Sequence, residues 1–437
     1  MSARRVSWVL VAAVGFTWAL ALPAAGEEPV IQEVLEILRE RGFVDEARYS
    51  ELVSKNQRYE EEHQGLLGRI RWSGDFRGRL ENFWFDRDAF DTNRDNRMRA
   101  RYRLRIRAEA EVNEYLDVVM RLASGENDHR STNRTLGFDD DFGPDAIFID
   151  QAYVNFTAPE SWLPAASSLE ASFGKVENPF LWKQGKDYML WDGDINPEGA
   201  SIRFATSPSD ALTLFLNGGY FIVDENGTSV DPHVLGIQGG ASVQAAEAVE
   251  LGARVSWYSW HSINPAFFGR SAASGALIDG LDDEAPSQSN DGFDAGELAA
   301  YVRFSGIPNW PILVYAHYAM NFDASSSDLF PQAGEEDTGW GVGVEIGDKK
   351  KYVMIGAGYY QLEANFWPAQ FTDSDLFDGF TNRKGWTVYG ARQILPNTEL
   401  NVTLFLGDVL DSDRPAFASS VGGAERIRLQ TDLVVKF

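Results

Sequence analysis

The sequence predicts an all-β protein: a transmembrane, antiparallel up-and-down β-barrel of about sixteen strands, preceded by a short N-terminal helical segment. Three observations predict this class. From about residue 67 onward, apolar and polar residues alternate, which is the side-chain period of a strand. The connections between the alternating runs are by turns short and long. After residue 26, no run approaches the ~18 consecutive apolar residues of a membrane-spanning helix.

The N-terminus has the composition of a secretory signal peptide, which we expect over residues 1–26. Arg4 and Arg5 form a short positive region, VSWVLVAAVGFTWALAL is apolar, and Ala24-Ala25-Gly26 supplies small residues for cleavage. The alternative is a membrane anchor, because residues 6–22 are at the lower limit of a spanning length. Cleavage would remove two positive charges from a net charge of -26, leaving the mature chain near -28.

Residues 27–62 differ from the rest of the chain and predict a small helical segment, periplasmic if the chain is exported. Apolar residues recur there at helical spacing, at Val30, Val34, Leu35 and Leu38. Gly42 marks the end of this helix. Asp45 is a suitable N-cap for a second short helix.

The barrel is predicted over residues 67–437. In the first run, IRWSGDFRGRLENFWF, the apolar residues Ile70, Trp72, Phe76, Leu80 and Trp84 share one face. Each run has about the 9–11 residues that a tilted membrane strand requires. The predicted strands lie near residues 70–85, 97–111, 115–123, 146–157, 168–176, 200–206, 211–223, 233–245, 249–261, 296–305, 309–322, 338–347, 350–363, 384–393, 398–407 and 424–437.

The connections sort into two classes, which is typical of an outer-membrane barrel and not of a soluble β-sandwich. The short ones are 207–210, 245–248, 306–309, 347–350 and 395–397. The long ones are 124–145, 180–199, 262–295, 323–337, 364–383 and 407–423. One turn, 158–167, is longer than the pattern favours. Aromatic residues near the strand ends predict interfacial girdles, formed by Trp84, Phe85, Trp257, Trp260, Trp310 and Trp386.

The second strand, within NRMRARYRLRIRAEAEV, carries arginine at every second position from Arg97 to Arg107. Each arginine on the lipid side would cost about 2–4 kcal/mol at the bilayer midplane, so a one-residue slip is excluded. The arginines must therefore face the inside, and the even-numbered residues face lipid. For Leu116, Val118, Met120 and Leu122 to face lipid as well, the turn around 113–115 must contain an odd number of residues.

The residues predicted to line the pore are arginines of the first, second, third and last strands: Arg71, Arg77, Arg79, Arg97, Arg99, Arg101, Arg103, Arg105, Arg107, Arg121, Arg426 and Arg428. Acids on the same faces partly offset their charge: Asp75, Glu81, Glu109, Glu111 and Asp117. Two interpretations stay open. One is a positive wall that attracts anions; the other is a structural wall of arginine–carboxylate pairs.

In order along the chain, RYRLRIRAEAEVNEYL, RLASGENDHRSTNRTLG, IDQAYVNF, GKVENPF and LWDGDINPEGASIRF resemble the putative porins of Gram-negative outer membranes. The resemblance covers about residues 67–206, and the last strand, which ends at Phe437, supports it. It implies a 16-stranded porin-like barrel in the outer membrane, with lipid and lipopolysaccharide around it. By analogy with general and phosphate-selective porins, it also implies a homotrimer.

The loop at 182–199, WKQGKDYMLWDGDINPEG, is rich in polar and aromatic residues. It predicts a constriction inside the barrel, with Asp192, Asp194 and Glu198 opposite the arginines; the alternative is an external loop. Acidic loops could hold Ca²⁺ or Mg²⁺ but are more simply solvated segments. They lie at 138–145, 281–284, 334–339 and 408–413.

Composition argues against other classes of function. With 65 acidic against 39 basic residues, nucleic-acid binding is not expected. The chain has no cysteine, which excludes disulfides, thiolate metal sites and cysteine nucleophiles. Its histidines show no metal-ligand spacing and GxSxG is absent, so we expect no metal, cofactor or enzymatic activity, although a fold-assembled hydrolase triad stays open. The histidines are His63, His129, His233, His261 and His317.

The predicted function is passive diffusion of small hydrophilic solutes or ions, leaning toward anions because of the arginines. Two alternatives stay open: a substrate-specific channel for a sugar or an oxyanion, and a structural or adhesive barrel with a blocked lumen.

Overall fold

The computed structural model describes residues 35–39, 41, 43–63, 69–85, 96–138, 142–225, 227, 230–263, 292–324, 336–411 and 426–437. The predicted signal peptide and the acidic loop 281–284 lie outside the described residues. The chain divides into two compact units, Met1–Arg69 and Ile70–Phe437.

The N-terminal unit is helical where it is described. A helical turn spans residues 35–39, and helix α1 spans Glu46–His63. Asp45 caps α1 as predicted, because its carboxylate accepts a hydrogen bond from the backbone N–H of Arg48 at 2.8 Å. Among the described helices, none is long and apolar enough to span a bilayer.

The second unit is built from strands. Its described residues form sixteen strands of nine or more residues and one strand of two. They are β1 Ile70–Phe85, β2 Arg97–Asn113, β3 Leu116–Ser124, β4 Arg134–Thr135, β5 Ile147–Thr157, β6 Ser167–Lys175, β7 Glu198–Ser209, β8 Leu212–Ile222, β9 His233–Ala246, β10 Val249–His261, β11 Gly292–Phe304, β12 Ile312–Asn321, β13 Thr338–Gly347, β14 Met354–Leu362, β15 Arg383–Leu395, β16 Thr398–Val409 and β17 Arg426–Lys436. Short 3₁₀ helices lie at Glu160–Trp162, Ala369–Phe371 and Leu376–Gly379.

The long strands close into a barrel. Each pairs antiparallel with its neighbours in the chain, and β1 also pairs with β17 from Asp75↔Lys436 to Phe85↔Arg426. Beyond that ladder, Gly74 and Phe437 exchange two backbone hydrogen bonds, of 2.8 and 3.0 Å. The short β4 pairs with β2 where β3 has ended. The predicted class, an antiparallel barrel of sixteen strands after a short helix, is confirmed.

The two faces of the barrel differ as the alternation predicts. On β1, Trp72 and Leu80 lie on the outer face and are 57% and 51% exposed, whereas Arg79 and Glu81 lie on the inner face and are buried. The odd residue count predicted for the turn between β2 and β3 is confirmed. The even-numbered Ala108 pairs with the even-numbered Met120, so both lie on the outer face. A bulge between Glu111 and Asn113 supplies the required odd spacing.

The connections also alternate as predicted. The end of the barrel that carries Gly74 and Phe437 has the short turns, such as 210–211 and 247–248, and the long loops leave the opposite end. The longer turn at 158–166 contains the 3₁₀ helix Glu160–Trp162, which accounts for its extra residues.

One predicted girdle residue lies elsewhere. Trp84, Trp257 and Trp386 are exposed on the outer face, and Trp310 is exposed in a turn. Trp260 is 1% exposed and points inside the barrel. The reason is strand parity, because odd-numbered residues of β10 face outward and even-numbered residues face inward. The side chain of Phe85 lies outside the described part of the structure.

Candidate functional site

Residues 176–197, which connect β6 to β7, fold into the barrel and are named here the first inner loop. On one side, the carbonyl oxygen of Phe180 accepts hydrogen bonds from Arg254 Nη1 at 3.0 Å and Gln238 Nε2 at 3.1 Å. On the other side, Asp194 Oδ1 lies 3.3 Å from Arg105 Nη1. The first inner loop therefore crosses the interior from β9 and β10 to β2.

A second inner loop, residues 363–382 between β14 and β15, fills the interior beside the first. Asp375 Oδ1 accepts hydrogen bonds of 2.9 Å from Arg79 and Arg428 on the inner wall. The two loops are also joined directly, because the N–H of Ser374 donates to Asp192 Oδ2 at 2.7 Å. The loops and the wall thus form one hydrogen-bonded network.

Aromatic rings pack where the two inner loops meet the wall. Trp191 of the first loop stacks on Trp260 with centroids 5.5 Å apart and meets Trp367 of the second loop edge-on at 5.3 Å. Phe371 stacks on Trp260 at 4.6 Å. We name this the aromatic cluster; its members are Phe180, Trp191, Tyr258, Trp260, Trp367 and Phe371. Each favourable ring pair contributes about 0.5–1.5 kcal/mol beyond burial, so the cluster holds both loops inside.

Most arginines predicted to line the pore lie on the inner face but pair with carboxylates. Arg79 donates two hydrogen bonds to Asp432, of 2.7 and 2.8 Å, and Arg103 lies 2.8 Å from Asp75. Nine of them lie within 4.0 Å of a carboxylate: Arg71, Arg79, Arg99, Arg103, Arg105, Arg107, Arg121, Arg426 and Arg428. This differs from the expected water-facing wall, because Arg79, Arg103 and Arg428 are buried beneath the inner loops.

Two inner-face arginines differ from the rest. Arg77 Nη2 donates to Asn133 Oδ1 at 2.6 Å, and Arg101 Nη2 donates to Ser131 Oγ at 3.1 Å. Within the described part of the chain, neither has a carboxylate within 4.0 Å, and the Nε of each is buried without a hydrogen-bond partner. Arg97, the remaining arginine of the predicted set, is exposed near the loop end of β2. Among the described residues, Arg77, Arg97 and Arg101 are therefore the arginines of this wall that have no carboxylate within 4.0 Å.

The three acids predicted for the constriction have different surroundings. Asp194 faces the arginines, 3.3 Å from Arg105 and 3.5 Å from Arg103. Burial would raise the pKa of the Asp194 carboxyl, but the charges of Arg103 and Arg105 outweigh burial and hold this pKa below its ordinary value. Asp192 is buried and faces the second inner loop. Glu198 begins β7 and pairs across the strands with Lys175 at 2.9 Å, away from the arginines.

A cavity of about 350 Å³ lies between the first inner loop and the inner faces of β6 to β10. Its lining combines an indole ring, two guanidinium groups, a carboxylate and two amides: Trp182, Arg203, Arg254, Glu170, Asn217 and Gln238. These groups can bind a small hydrophilic molecule, because they offer hydrogen-bond donors and acceptors beside one aromatic face.

The second inner loop was not predicted. The sequence predicted only a long connection over 364–383, although NFWPAQF within it is unusually rich in aromatic residues for a solvated loop. In the structure Phe366, Trp367 and Phe371 of this stretch are buried. Aromatic density within a long loop is therefore the signal that could have identified it.

The carboxyl of Asp373 in the second inner loop makes the stability of this site depend on pH. Burial, and next the charge of Asp375, raise the pKa of Asp373 from 3.8 to about 7. The folded protein thus binds this proton more tightly than the unfolded chain does. The stability that the proton contributes is complete below about pH 4 and is lost as the pH rises through about 7.

We expect Asp373→Asn to abolish the loss of stability that deprotonation of Asp373 causes as the pH rises. The amide oxygen can still accept the backbone hydrogen bonds from Asp375 and Leu376, of 2.8 and 3.1 Å, and it stays neutral. Between about pH 5 and pH 8, the variant should lose less stability than the unaltered protein, by a few kcal/mol at most, because one pKa unit corresponds to about 1.4 kcal/mol. Thermal unfolding at both pH values measures this, and equal losses in the two proteins would contradict it.

Comparison with known proteins agrees with the barrel fold. The sequence model of the putative porin family matches residues 86–277, which confirms the resemblance described above. OprB of Pseudomonas putida has the same fold, with 9% identity over 87% of this chain and 97% of that chain and a TM-score of 0.51. The outer membrane channel DcaP of Acinetobacter baumannii aligns with 12% identity over 84% and 97%, with a TM-score of 0.47. Among curated proteins, none matches the chain.

Proposed function

We propose that this porin-like chain is an outer-membrane porin through which small hydrophilic solutes diffuse passively, by a passage that the two inner loops narrow. The observation that carries the proposal is the closed barrel whose outer face is apolar and whose inner face is charged. An apolar outer face suits lipid, and a charged inner face suits water and dissolved solutes. Two loops folded into the interior reduce the cross-section of the passage, and they select solutes by size and charge.

The proposal includes a preference for anions. It rests on Arg77 and Arg101, two inner-face arginines that lack a carboxylate partner among the described residues and lie farther inside the barrel than the exposed Arg97. The paired arginines contribute less, because a nearby carboxylate cancels most of the field of each guanidinium at a distance.

The test is conductance in planar lipid bilayers. We expect the purified, folded protein to give discrete current steps, with a reversal potential in a salt gradient that indicates anion preference. Arg101→Gln should move this potential toward the cation side. Arg392→Gln is the matched control, because Arg392 is exposed near the short-turn end of β15 and its removal changes the total charge equally.

Two outcomes would contradict parts of the proposal. A folded protein that conducts no current would favour the alternative of a barrel with a blocked lumen, which the aromatic cluster makes physically reasonable. A reversal potential that shifts equally in Arg101→Gln and Arg392→Gln would mean that the inner arginines have a structural role only.

A second candidate is a substrate-specific channel for a sugar or an oxyanion. The cavity favours it, since Trp182 offers an aromatic face and Arg203 and Arg254 offer guanidinium donors. Sugars pack on aromatic rings and oxyanions accept hydrogen bonds from arginine. Concentration-dependent block of the current by one class of solute, with no block by the other, would identify the substrate.

We further propose export through the periplasm, an outer-membrane location among lipid and lipopolysaccharide, and assembly as a homotrimer. The signal-peptide composition of residues 1–26 supports export, and the resemblance to porins supports the trimer. The mass of the detergent-solubilised protein measures the oligomeric state, and cell fractionation measures the location.

A further inference from the structure

A histidine and two carboxylates converge where the first inner loop meets the barrel wall. Asp187 belongs to the loop, Glu297 to β11 and His317 to β12. One ligand atom from each lies within 4.8 Å of the others. The Nδ1 atom of His317 is 3.8 Å from Asp187 Oδ1 and 3.7 Å from Glu297 Oε1.

The polar atoms of this group are buried, and several have no hydrogen-bond partner. His317 and Glu297 are each 3% exposed. Within the described residues, both ring nitrogens of His317 and the Oδ1 atom of Asp187 lack a partner. A buried polar atom left without a hydrogen-bond partner destabilises the folded protein. Two of these atoms, His317 Nδ1 and Asp187 Oδ1, lie 3.8 Å apart, so a ligand between them would satisfy both.

The charges of this group favour a cation as its ligand. Arg254 Nη2 lies 2.8 Å from Asp187 Oδ2 and 2.7 Å from Glu297 Oε1. Ser256 donates to the remaining oxygen of Glu297 at 2.8 Å. The two carboxylates thus carry one more unit of charge than the guanidinium that bridges them. A buried negative charge is unfavourable unless a positive group compensates it.

We propose that Asp187, Glu297 and His317 bind a divalent transition-metal ion, with Zn²⁺ as its representative. Zinc binds histidine nitrogen and carboxylate oxygen at about 2.0–2.2 Å, so two tetrahedral ligands lie about 3.4 Å apart. The two separations from His317 Nδ1, 3.7 and 3.8 Å, require only a small contraction, and all three ligand atoms lie within 4.8 Å of one another. A nitrogen ligand disfavours Ca²⁺ and Mg²⁺, which prefer oxygen ligands throughout.

The ion would fix the first inner loop to the wall. Asp187 is the loop's ligand, whereas Glu297 and His317 belong to adjacent paired strands. Metal binding therefore adds a cross-link between a loop and a rigid scaffold, and it keeps the passage narrow. This consequence for conduction rests on the proposed function, whereas metal binding itself does not.

The experiment measures zinc bound to the purified, folded protein in detergent. After treatment with a chelator, the protein is titrated with ZnCl₂ in a calorimeter, and the zinc content is measured after desalting. We expect one Zn²⁺ per chain. Asp187→Asn and His317→Ala should weaken binding by at least about tenfold, because even groups that only support a metal ligand are worth that much. His129→Ala is the control, since the ring of His129 bonds to the Gln370 carbonyl instead.

Asp187→Asn keeps the test valid if His317→Ala fails to fold, because it changes a loop residue and removes no atoms from the barrel wall. Stoichiometric zinc that persists in both ligand variants, or a folded protein that binds none, would overturn the proposal. The group would then be an ion-pair network around Arg254.

Conductance separates the two proposals. If both hold, a chelator should raise the conductance of the unaltered protein and leave that of Asp187→Asn unchanged. A protein that binds zinc but carries no current would contradict the proposed function and retain the metal site.

Discussion

Replacing Arg79 by glutamine is expected to destabilise the folded barrel by about 3–5 kcal/mol, the cost of removing one partner of a buried ion pair. The Arg79 side chain is 4% exposed and contacts Asp432 at 2.7 Å and Asp375 at 2.9 Å. Glutamine cannot supply the charge or the paired N–H groups that these carboxylates accept. Asp432 would therefore lose the guanidinium that compensates its charge, and Asp375 would keep only Arg428 of its two arginine partners.

The measurement is reversible unfolding by urea of protein folded into lipid vesicles, with Arg71→Gln as the matched control. Arg71 forms the same kind of pair, with Glu109 at 2.5 Å, but its side chain is 70% exposed. Exposed ion pairs contribute about 0–1 kcal/mol. Equal losses of stability in the two variants would contradict the idea that burial of the arginine–carboxylate network stabilises the barrel.

Replacing Trp191 by alanine is expected to release the two inner loops and to raise single-channel conductance severalfold. Trp191 is 4% exposed, and its ring contacts Phe180, Trp260 and Trp367 within the aromatic cluster. Removing a buried tryptophan side chain costs about 3–5 kcal/mol. This free energy is lost from the packing of the two inner loops, whereas the hydrogen bonds between strands stay intact.

The control is Trp162→Ala, which removes an equally large ring that is 70% exposed in the turn at 158–166. Conductance of this variant should match that of the unaltered protein. If Trp191→Ala leaves the conductance unchanged while it lowers stability, the aromatic cluster does not limit the passage.

The strands were predictable because one rule governs all of them. Membrane strands must place apolar residues toward lipid at every second position, so Arg97 to Arg107 alone excludes a one-residue slip. The same rule, applied strictly, would have placed Trp260 inside with Tyr258, since Trp257 occupies the opposite parity. Trp260 was assigned to the outer face because it lies near a strand end. That criterion is weaker than the alternation of the strand, and it gave the wrong face for this residue.

The interior was less predictable because no periodicity governs loops. The segment 182–199 was recognised as a candidate constriction, yet Glu198 is the first residue of β7, where cross-strand pairing with Lys175 determines its position. Asp187, Glu297 and His317 come from a loop and two strands, with no short spacing to reveal them. The pairing of β11 with β12 and the inward course of the first inner loop bring them together.

Closure itself sets the order in which this protein can assemble. The seam pairs β1 with β17 from Asp75↔Lys436 to Phe85↔Arg426, and Gly74 is hydrogen-bonded to Phe437 beyond it. Strand β1 therefore cannot complete its pairing before β17 has been synthesised. Until then, the growing sheet has two unpaired strand edges. Such long-range pairing is slow, so the polypeptide must be kept from aggregating until β17 has been made and has paired with β1.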